Sequence, residues 1–408
     1  MRVLVISLQV GGGSKGHLNP LVGVVQWLMA DGHEVGWLPL PTPMGQADLA
    51  QVKGLGVRLL SPPPLPAGTM PSPEEMAPIA RDPARVWQVY RTFFLDPVEP
   101  LLPGVADLID EFRPDVAVAD TMAYPGIVAC HRAGVPWVGV CAGLKLLHPP
   151  GFSDAYRGDM SRLVEPRAEL FARYGLNPEF RLFECPSPHA NVVFGTRELV
   201  GDLTPPERTW LVGPSIPPQP RGDEPDFPFD RLPAGRPLVY TSFGSVHARL
   251  DAGSEVDALI TATAELGAAL VISSVAVAQR SGELPGHVLA VPYAPQLALL
   301  ERADAFVTHG GANSVMEGMY CGVPLLVVPL ASDQPMQAGL VRRAGAGLAM
   351  EREQLDPATV TRALAQLLDR DGPIRAAAGK IRAAYRASDG ARQTARIVRE
   401  VRDRHASR

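Results

Sequence analysis

The stretch from 304 to 338, DAFVTHGGANSVMEGMYCGVPLLVVPLASDQPMQA, concentrates residue types that hold phosphate and sugar hydroxyls. An apolar run over 305–308 reads as a buried parallel strand. His309 follows, then Gly310-Gly311, then Asn313 and Ser314 at the opening of an apolar-periodic segment over 315–320. That order is strand, glycine turn, helix N-terminus. Backbone N–H groups at such an opening have no partner within the helix, and the helix dipole adds partial positive charge there. A phosphate is the expected guest. Glu317 lies one turn on, and Asp333-Gln334 follow the next apolar run at 323–329, so carboxylates and an amide for hydroxyls surround the phosphate donors. This is the chemistry of a nucleotide-sugar site. A purely structural account competes with it, since Ser314-x-x-Glu317 has the form of a capping box and a glycine pair is ordinary punctuation between strand and helix. Judged on spacing alone, the structural account is the stronger.

A second candidate lies near the start of the chain. Residues 11–21 read GGGSKGHLNPL, after an apolar run over 2–9 and before a helix predicted from about 20 to 31. Gly11, Gly13 and Gly16 fit a dinucleotide fingerprint, but that fingerprint also requires an acidic residue near the end of the second strand. The second strand ends Trp37-Leu38-Pro39-Leu40, so the NAD reading loses half its support. A P-loop fails because His17 stands where lysine is needed. His17 itself, at a strand–helix junction, is expected at the carboxyl end of a sheet, where α/β ligands bind. Its ordinary pKa near 6.5 suits a general base. Asp120 closes the strand PDVAVAD at another carboxyl end, from which it could orient His17 and stabilise the imidazolium. A strand-terminal aspartate is also a common turn former.

The elements that would position these residues form two α/β halves. Apolar strand runs recur at 2–9, 34–38, 57–60, 115–120, 137–141 and 191–194, and again at 238–243, 269–273, 288–291, 305–308 and 325–329. Helical segments alternate with them, which predicts two doubly wound parallel sheets. The length of 408 residues suits two domains, and 46% hydrophobic with 20% charged residues is a globular composition. We place an N-terminal domain at 1–213, a proline-rich linker at 214–237, a C-terminal domain at 238–385 and a final helical segment at 386–408. Two long irregular insertions, 61–103 and 146–189, interrupt the first half. A net charge of −5 argues against a general nucleic-acid binder. The arginine-rich tail from 375 is read as a solvated helix face. Four scattered cysteines, with no C-x-x-C pair, are read as reduced cytosolic thiols. The apolar start is short and lacks a cleavage pattern, so it is read as a strand and not a signal peptide. No apolar run reaches the roughly 18 residues of a membrane span. Asp369-Arg370-Asp371 has the letters of a D-x-D metal motif but no preceding strand, and it is assigned to a solvated turn; no metal site is expected.

The 304–338 stretch resembles the donor-binding signature of family 1 glycosyltransferases, the inverting UDP-sugar enzymes of GT-B fold. His309, Gly311, Asn313, Ser314, Glu317, Gly322, Pro324, Asp333 and Gln334 fall in its order and spacing. Gly16-His17-x-x-Pro20 is similar to the site of the catalytic histidine in that family, and Asp120 to its aspartate partner. Thr241–Ser245 resembles the loop that faces the phosphates, which implicates Ser242, Gly244 and Ser245. Tyr293-Ala294-Pro295-Gln296 resembles a W-x-P-Q element whose aromatic stacks on uracil and whose glutamine meets the ribose. Tyrosine keeps a π-face of smaller area, so a thymidine donor stays open beside uridine.

The resemblance implies two Rossmann-like domains facing across a cleft. It also implies hexose transfer from a UDP-sugar or TDP-sugar, with glucose first in view of Gln334, and inversion at the anomeric carbon. His17 would be the base, Asp120 its partner, His309 and Gly311–Ser314 the diphosphate donors without a metal, Glu317 the ribose ligand, and Asp333 with Gln334 the sugar ligands. The places of Ser14 and Lys15 stay open. The acceptor would be a hydrophobic small-molecule natural product, such as a polyketide or macrolide antibiotic precursor, held against the insertions. Met76, Trp87, Tyr90, Phe93 and Phe94 make that wall apolar, although 87, 90 and 94 also have the spacing of a plain core helix. A GT-B sugar-nucleotide epimerase and a non-catalytic nucleotide-sugar-binding partner are the alternatives.

Overall fold

A computed structural model describes residues 1–9, 15–42, 49–65, 75, 79, 82, 84–148, 160–222, 224–244, 253–280, 284–330 and 333–407. It divides into two compact units. The first comprises Met1–Phe194, Leu203–Gly222 and Gly390–Arg408, and the second Gly195–Asp202 with Asp223–Asp389. The proline-rich 214–237 stretch is thus shared between them.

The first unit is built on seven parallel strands: β1 (Arg2–Leu8), β2 (Glu34–Leu40), β3 (Arg58–Leu59), β4 (Val116–Asp120), β5 (Trp137–Cys141), β6 (Ala190–Val193) and β7 (Thr209–Leu211). Their order is β3-β2-β1-β4-β5-β6-β7. The central strands are continuous apolar runs because helices cover both faces of a parallel sheet. β4 and β5 are buried along their whole length. The chain winds outward from β1 through β2 and β3, then returns to lay β4 on the other side of β1, with Ile6 paired to both Leu38 and Ala119. The carboxyl ends of β1 and β4 therefore flank the point where winding reverses, the place where α/β sheets open a crevice.

The second unit repeats the scheme with six strands: β8 (Leu238–Ser242), β9 (Ala269–Ser273), β10 (Val288–Val291), β11 (Ala305–Thr308), β12 (Leu325–Val327) and β13 (Gly347–Ala349). Their order is β10-β9-β8-β11-β12-β13. Its reversal lies between β8 and β11, where Thr308 pairs with Ser242. Stacked Tyr240 and Phe306 rings, with centroids 4.9 Å apart, fill the sheet face below it.

Two short strands, β7 and β13, escape the periodicity reading, since three residues show too little pattern to separate from loop. The insertions also hold more regular structure than expected. Helices span Val86–Phe94 and Val98–Phe112, with Pro103 inside the second, and another spans Val164–Ala172. The buried apolar face of the second helix, Val98, Leu101, Leu102, Val105, Ile109 and Phe112, offsets the hydrogen bond that Pro103 removes. Trp87, Tyr90 and Phe94 pack against the first unit's core, and Tyr90 stacks on Phe183 with centroids 4.6 Å apart. Their helical spacing thus reflects core packing. Met76 lies outside the described residues.

The final helix, Gly390–Ala406, belongs to the first unit. Gly390 N donates to Pro214 O at 3.0 Å, Arg399 pairs with Asp31 at 2.5 Å, and the Arg392 guanidinium lies 5.0 Å from the Trp27 ring centre. Several of its arginines are therefore engaged in packing and ion pairs at the edge of the fold. Asp369-Arg370-Asp371 forms an exposed turn after the Pro357–Leu368 helix. The four thiols are free. Among the described residues no helix is long and apolar enough to cross a membrane.

Candidate functional site

In the first unit the Lys15 carbonyl accepts from Leu18 N and Asn19 N, at 3.1 and 2.9 Å, and turns the chain from β1 into the Asn19–Ala30 helix. This turn carries Gly16 and His17 to the winding reversal. His17 Nδ1 lies 2.5 Å from Asp120 Oδ2. Asp120 is the last residue of β4 and its side chain is 2% exposed, whereas that of His17 is 18% exposed. Asp120 Oδ1 also accepts from Met122 N at 2.9 Å, so the carboxylate is held from both sides.

Two consequences follow. A carboxylate on Nδ1 requires the proton to sit there, which leaves Nε2 of the neutral ring as an acceptor. Burial pulls the His17 pKa down, but the charge and hydrogen bond of Asp120 outweigh it and raise the value above 6.5, with Lys145 opposing and Glu184 assisting. The pair has the geometry of a base and its orienting carboxylate.

Beside this pair lie groups the sequence reading missed. Lys145 Nζ sits 3.6 Å from Glu184 Oε1, and Glu184 Oε2 accepts a hydrogen bond from Thr121 Oγ1. All three side chains are buried. The available signal was a lysine in the apolar run VGVCAGLKLL and a carboxylate between Phe183 and Cys185. Burial raises the Glu184 pKa, Lys145 counteracts it, and Asp120 adds to it.

In the second unit β11 delivers His309 to the corresponding reversal. The ring is confined by glycines. A Cβ on Gly244 would lie 2.6 Å from both Cε1 and Nε2 of His309, and one on Gly311 would lie 2.6 Å from Nε2. Gly244 also has φ of +76°, a left-handed conformation that favours glycine. Thr308 Oγ1 accepts from Gly310 N at 3.2 Å and lies 3.4 Å from His309 Nδ1. Ser242, at the end of β8, is buried, and its hydroxyl accepts from Gly244 N at 3.4 Å. Ser245 lies outside the described residues, as do Gly11, Gly13 and Ser14.

Gly311 is the N-cap of the Ala312–Cys321 helix, and no side chain caps it. Ser314 is therefore inside the first turn and Glu317 a turn further on, so the capping-box account of this pair does not describe the fold. Asn313 is half-buried and Ser314 buried. Glu317, 1% exposed, accepts from Gln296 Nε2 at 2.8 Å, so the two residues assigned to the ribose are joined to each other. Tyr293 is 58% exposed just after β10, with Ala294 beside it half-buried. Asp333 occupies the N-cap position of the Gln334–Arg343 helix without a side-chain capping bond. Gln334 is buried, its Oε1 accepts from Leu330 N at 2.7 Å, and its backbone oxygen passes Gly310 at a distance that leaves a Cβ there only 3.4 Å. Ser242, Gly244, His309, Gly311 and Gln334 thus gather at one reversal point, Gln296 and Glu317 form a second small group, and Tyr293 stands exposed.

Residues 257–401 match the C-terminal domain of proteins like erythromycin biosynthesis protein CIII. Over 411 residues the chain is 27% identical to 4′-demethylrebeccamycin synthase of Lentzea aerocolonigenes, covering 92% of this chain and 94% of that protein. Over 408 residues it is 29% identical to the oleandomycin glycosyltransferase of Streptomyces antibioticus, covering 96% and 89%. Among solved structures, the glycotransferase of kitacinnamycin superposes with a TM-score of 0.73 at 25% identity, covering 98% of each chain.

Proposed function

We propose, from the premise that this chain is a family 1 glycosyltransferase of GT-B fold, that it transfers a hexose from a uridine or thymidine diphosphate sugar to a hydroxyl of a hydrophobic natural product. The full-length relatives, named for rebeccamycin and oleandomycin chemistry, support a natural-product acceptor. The observation that carries the mechanism is the 2.5 Å contact between His17 and Asp120.

His17 Nε2 takes the proton of the acceptor hydroxyl, and Asp120 holds Nδ1–H and stabilises the imidazolium. Such general-base assistance is worth about 10²–10⁴ in rate. The acceptor oxygen forms its bond to the anomeric carbon as the bond to the diphosphate oxygen breaks, with inversion. Negative charge gathers on the departing diphosphate. His309, the uncapped opening of the Ala312–Cys321 helix and the hydroxyls of Ser242 and Ser245 receive it, with no metal assigned a role. Tyr293 supplies the face for the base, Gln296 and Glu317 bind the ribose as a joined pair, and Asp333 reaches the sugar. Gln334 stands with Asp333 at the sugar, its amide oxygen accepting from Leu330 N.

UDP-glucose is the first donor to test, and TDP-linked sugars the second. An epimerase has no use for a base on the acceptor side, and a non-catalytic partner has no use for the His17–Asp120 pair. The test is a thermal-shift titration with UDP, TDP and NAD, followed by transfer assays with a polyketide or macrolide aglycone panel. A ligand at 100 times its Kd stabilises by about 2.7 kcal/mol, a shift of a few degrees in Tm. Stabilisation by UDP or TDP, with transfer lost in His17→Ala, is the expected result. A shift with NAD alone would overturn the reading.

A further inference from the structure

We propose that Lys145 and Glu184 are a positioning pair for the general base: ionised together, they hold Asp120 in place and keep the charge behind His17 balanced. This rests on the reading of His17 as the base.

The geometry is a closed circuit around Asp120. Met122 N donates to Asp120 Oδ1 at 2.9 Å, and Lys145 Nζ lies 3.6 Å from Met122 Sδ and 3.6 Å from Glu184 Oε1. Glu184 Oε2 accepts from the hydroxyl of Thr121, the residue after Asp120. Cys185 N in turn donates to Thr121 O at 2.8 Å, and Thr121 N to Val140 O at 3.1 Å. Apart from the Lys145–Glu184 contact itself, each link attaches within two residues of Asp120. The Lys145 and Glu184 side chains are 9% and 2% exposed.

A buried ion pair is a poor device for stability, because desolvating two charges offsets most of their attraction, and apolar residues of like size do as well. One beside a base, however, acts on that base. Among the described residues the ionisable groups acting on His17 are Asp120 from β4, Lys145 from beyond β5 and Glu184 from the segment before β6. The other titratable groups facing Glu184 are Tyr124, Cys141 and Cys185, and burial pushes all three upward, so they are neutral near pH 7. Lys145 pulls the His17 proton affinity down and Glu184 lifts it. While both are charged their effects on the ring oppose each other, and burial and Asp120 remain the larger influences on the base.

The test reads the ring directly. In full-length protein with ¹³C-labelled histidine, the His17 Cε1–H resonance, assigned with His17→Ala, is titrated by NMR. Glu184→Gln keeps the volume and strips the balancing charge, so the His17 midpoint should fall by about half a unit or more. Lys145→Met should raise the Glu184 carboxyl midpoint by a comparable amount or more. With an acceptor in hand, the acid limb of kcat/KM in Glu184→Gln should move to lower pH. A folded Glu184→Gln protein whose His17 midpoint stays put would sink the proposal and leave a plain structural bridge. If that variant does not fold, the ¹³C titration of the Glu184 carboxyl in the unmodified protein decides. Ionised at neutral pH supports the pair, protonated overturns it. Retention of transfer by His17→Ala would instead remove the reading of the base and leave the titration result standing.

Discussion

The two units reverse their winding in the same way, between β1 and β4 in one and between β8 and β11 in the other, yet they furnish those points with opposite materials. The first unit places ionisable side chains there already bonded to each other: His17 on Asp120, Glu184 on Thr121 and Lys145. The second places a histidine between two glycines, a helix opening with no side-chain cap, and an exposed aromatic ring. A proton-transfer site must have its charges arranged before the substrate arrives, because reorganising charge in the transition state costs rate. A diphosphate site needs backbone and neutral donors with room for the phosphate oxygens to approach. On the proposed reading, one architecture serves chemistry in one unit and binding in the other.

The most severe way to break this division is His17→Ala, which should lower transfer by about 10²–10⁴ while the thermal shift with UDP or TDP persists. Loss of nucleotide binding along with activity would mean that the two sites are not functionally separate. Asp120→Asn comes next. It preserves shape but removes the charge on Nδ1, so kcat should drop by about 10² or more, with the surviving His17 titration displaced to lower pH. In the unaltered protein the sign is fixed by the raised His17 pKa. The ring is a base only when deprotonated, so kcat/KM should fall on acidification with a midpoint above 6.5. The same shift gives the protonated ring a stabilising contribution that is full below 6.5 and lost as pH rises through the folded value.

On the binding side, Gly244→Ala puts a Cβ into the His309 ring at a positive-φ position. It should weaken UDP or TDP binding about tenfold and destabilise the second unit by about 1–2 kcal/mol, while the His17 midpoint does not move. The smallest effect is expected from Tyr293→Ala. The side chain is exposed, so Tm should change little, and nucleotide affinity should fall by about 1 kcal/mol, roughly fivefold, in isothermal titration. An unchanged affinity would remove the tyrosine from the base site.

Much of this was legible because apolar runs, glycines and caps are local features. The runs at 137–141, 269–273, 288–291 and 305–308 coincide with β5, β9, β10 and β11 to the residue. β7 and β13 were not legible, since three-residue strands at sheet edges are defined by their neighbours and not by their own pattern. The Ser314-x-x-Glu317 pair shows the opposite error of local reasoning: the letters of a cap occur one turn inside the helix, because Gly311 and not Ser314 begins it.

The sequence by itself determined two doubly wound sheets and the residue types waiting at their carboxyl ends, since periodicity and turn chemistry act over a few residues. Only the tertiary structure decided which of those residues meet. His17 and Asp120 are 103 positions apart and touch because β1 and β4 pair, and Lys145 reaches Glu184 because β5 and β6 lie side by side. Whether a charge is buried, and beside which other charge, is a property of the packed sheet, and so a lysine in an apolar run carries no meaning until its carboxylate is found.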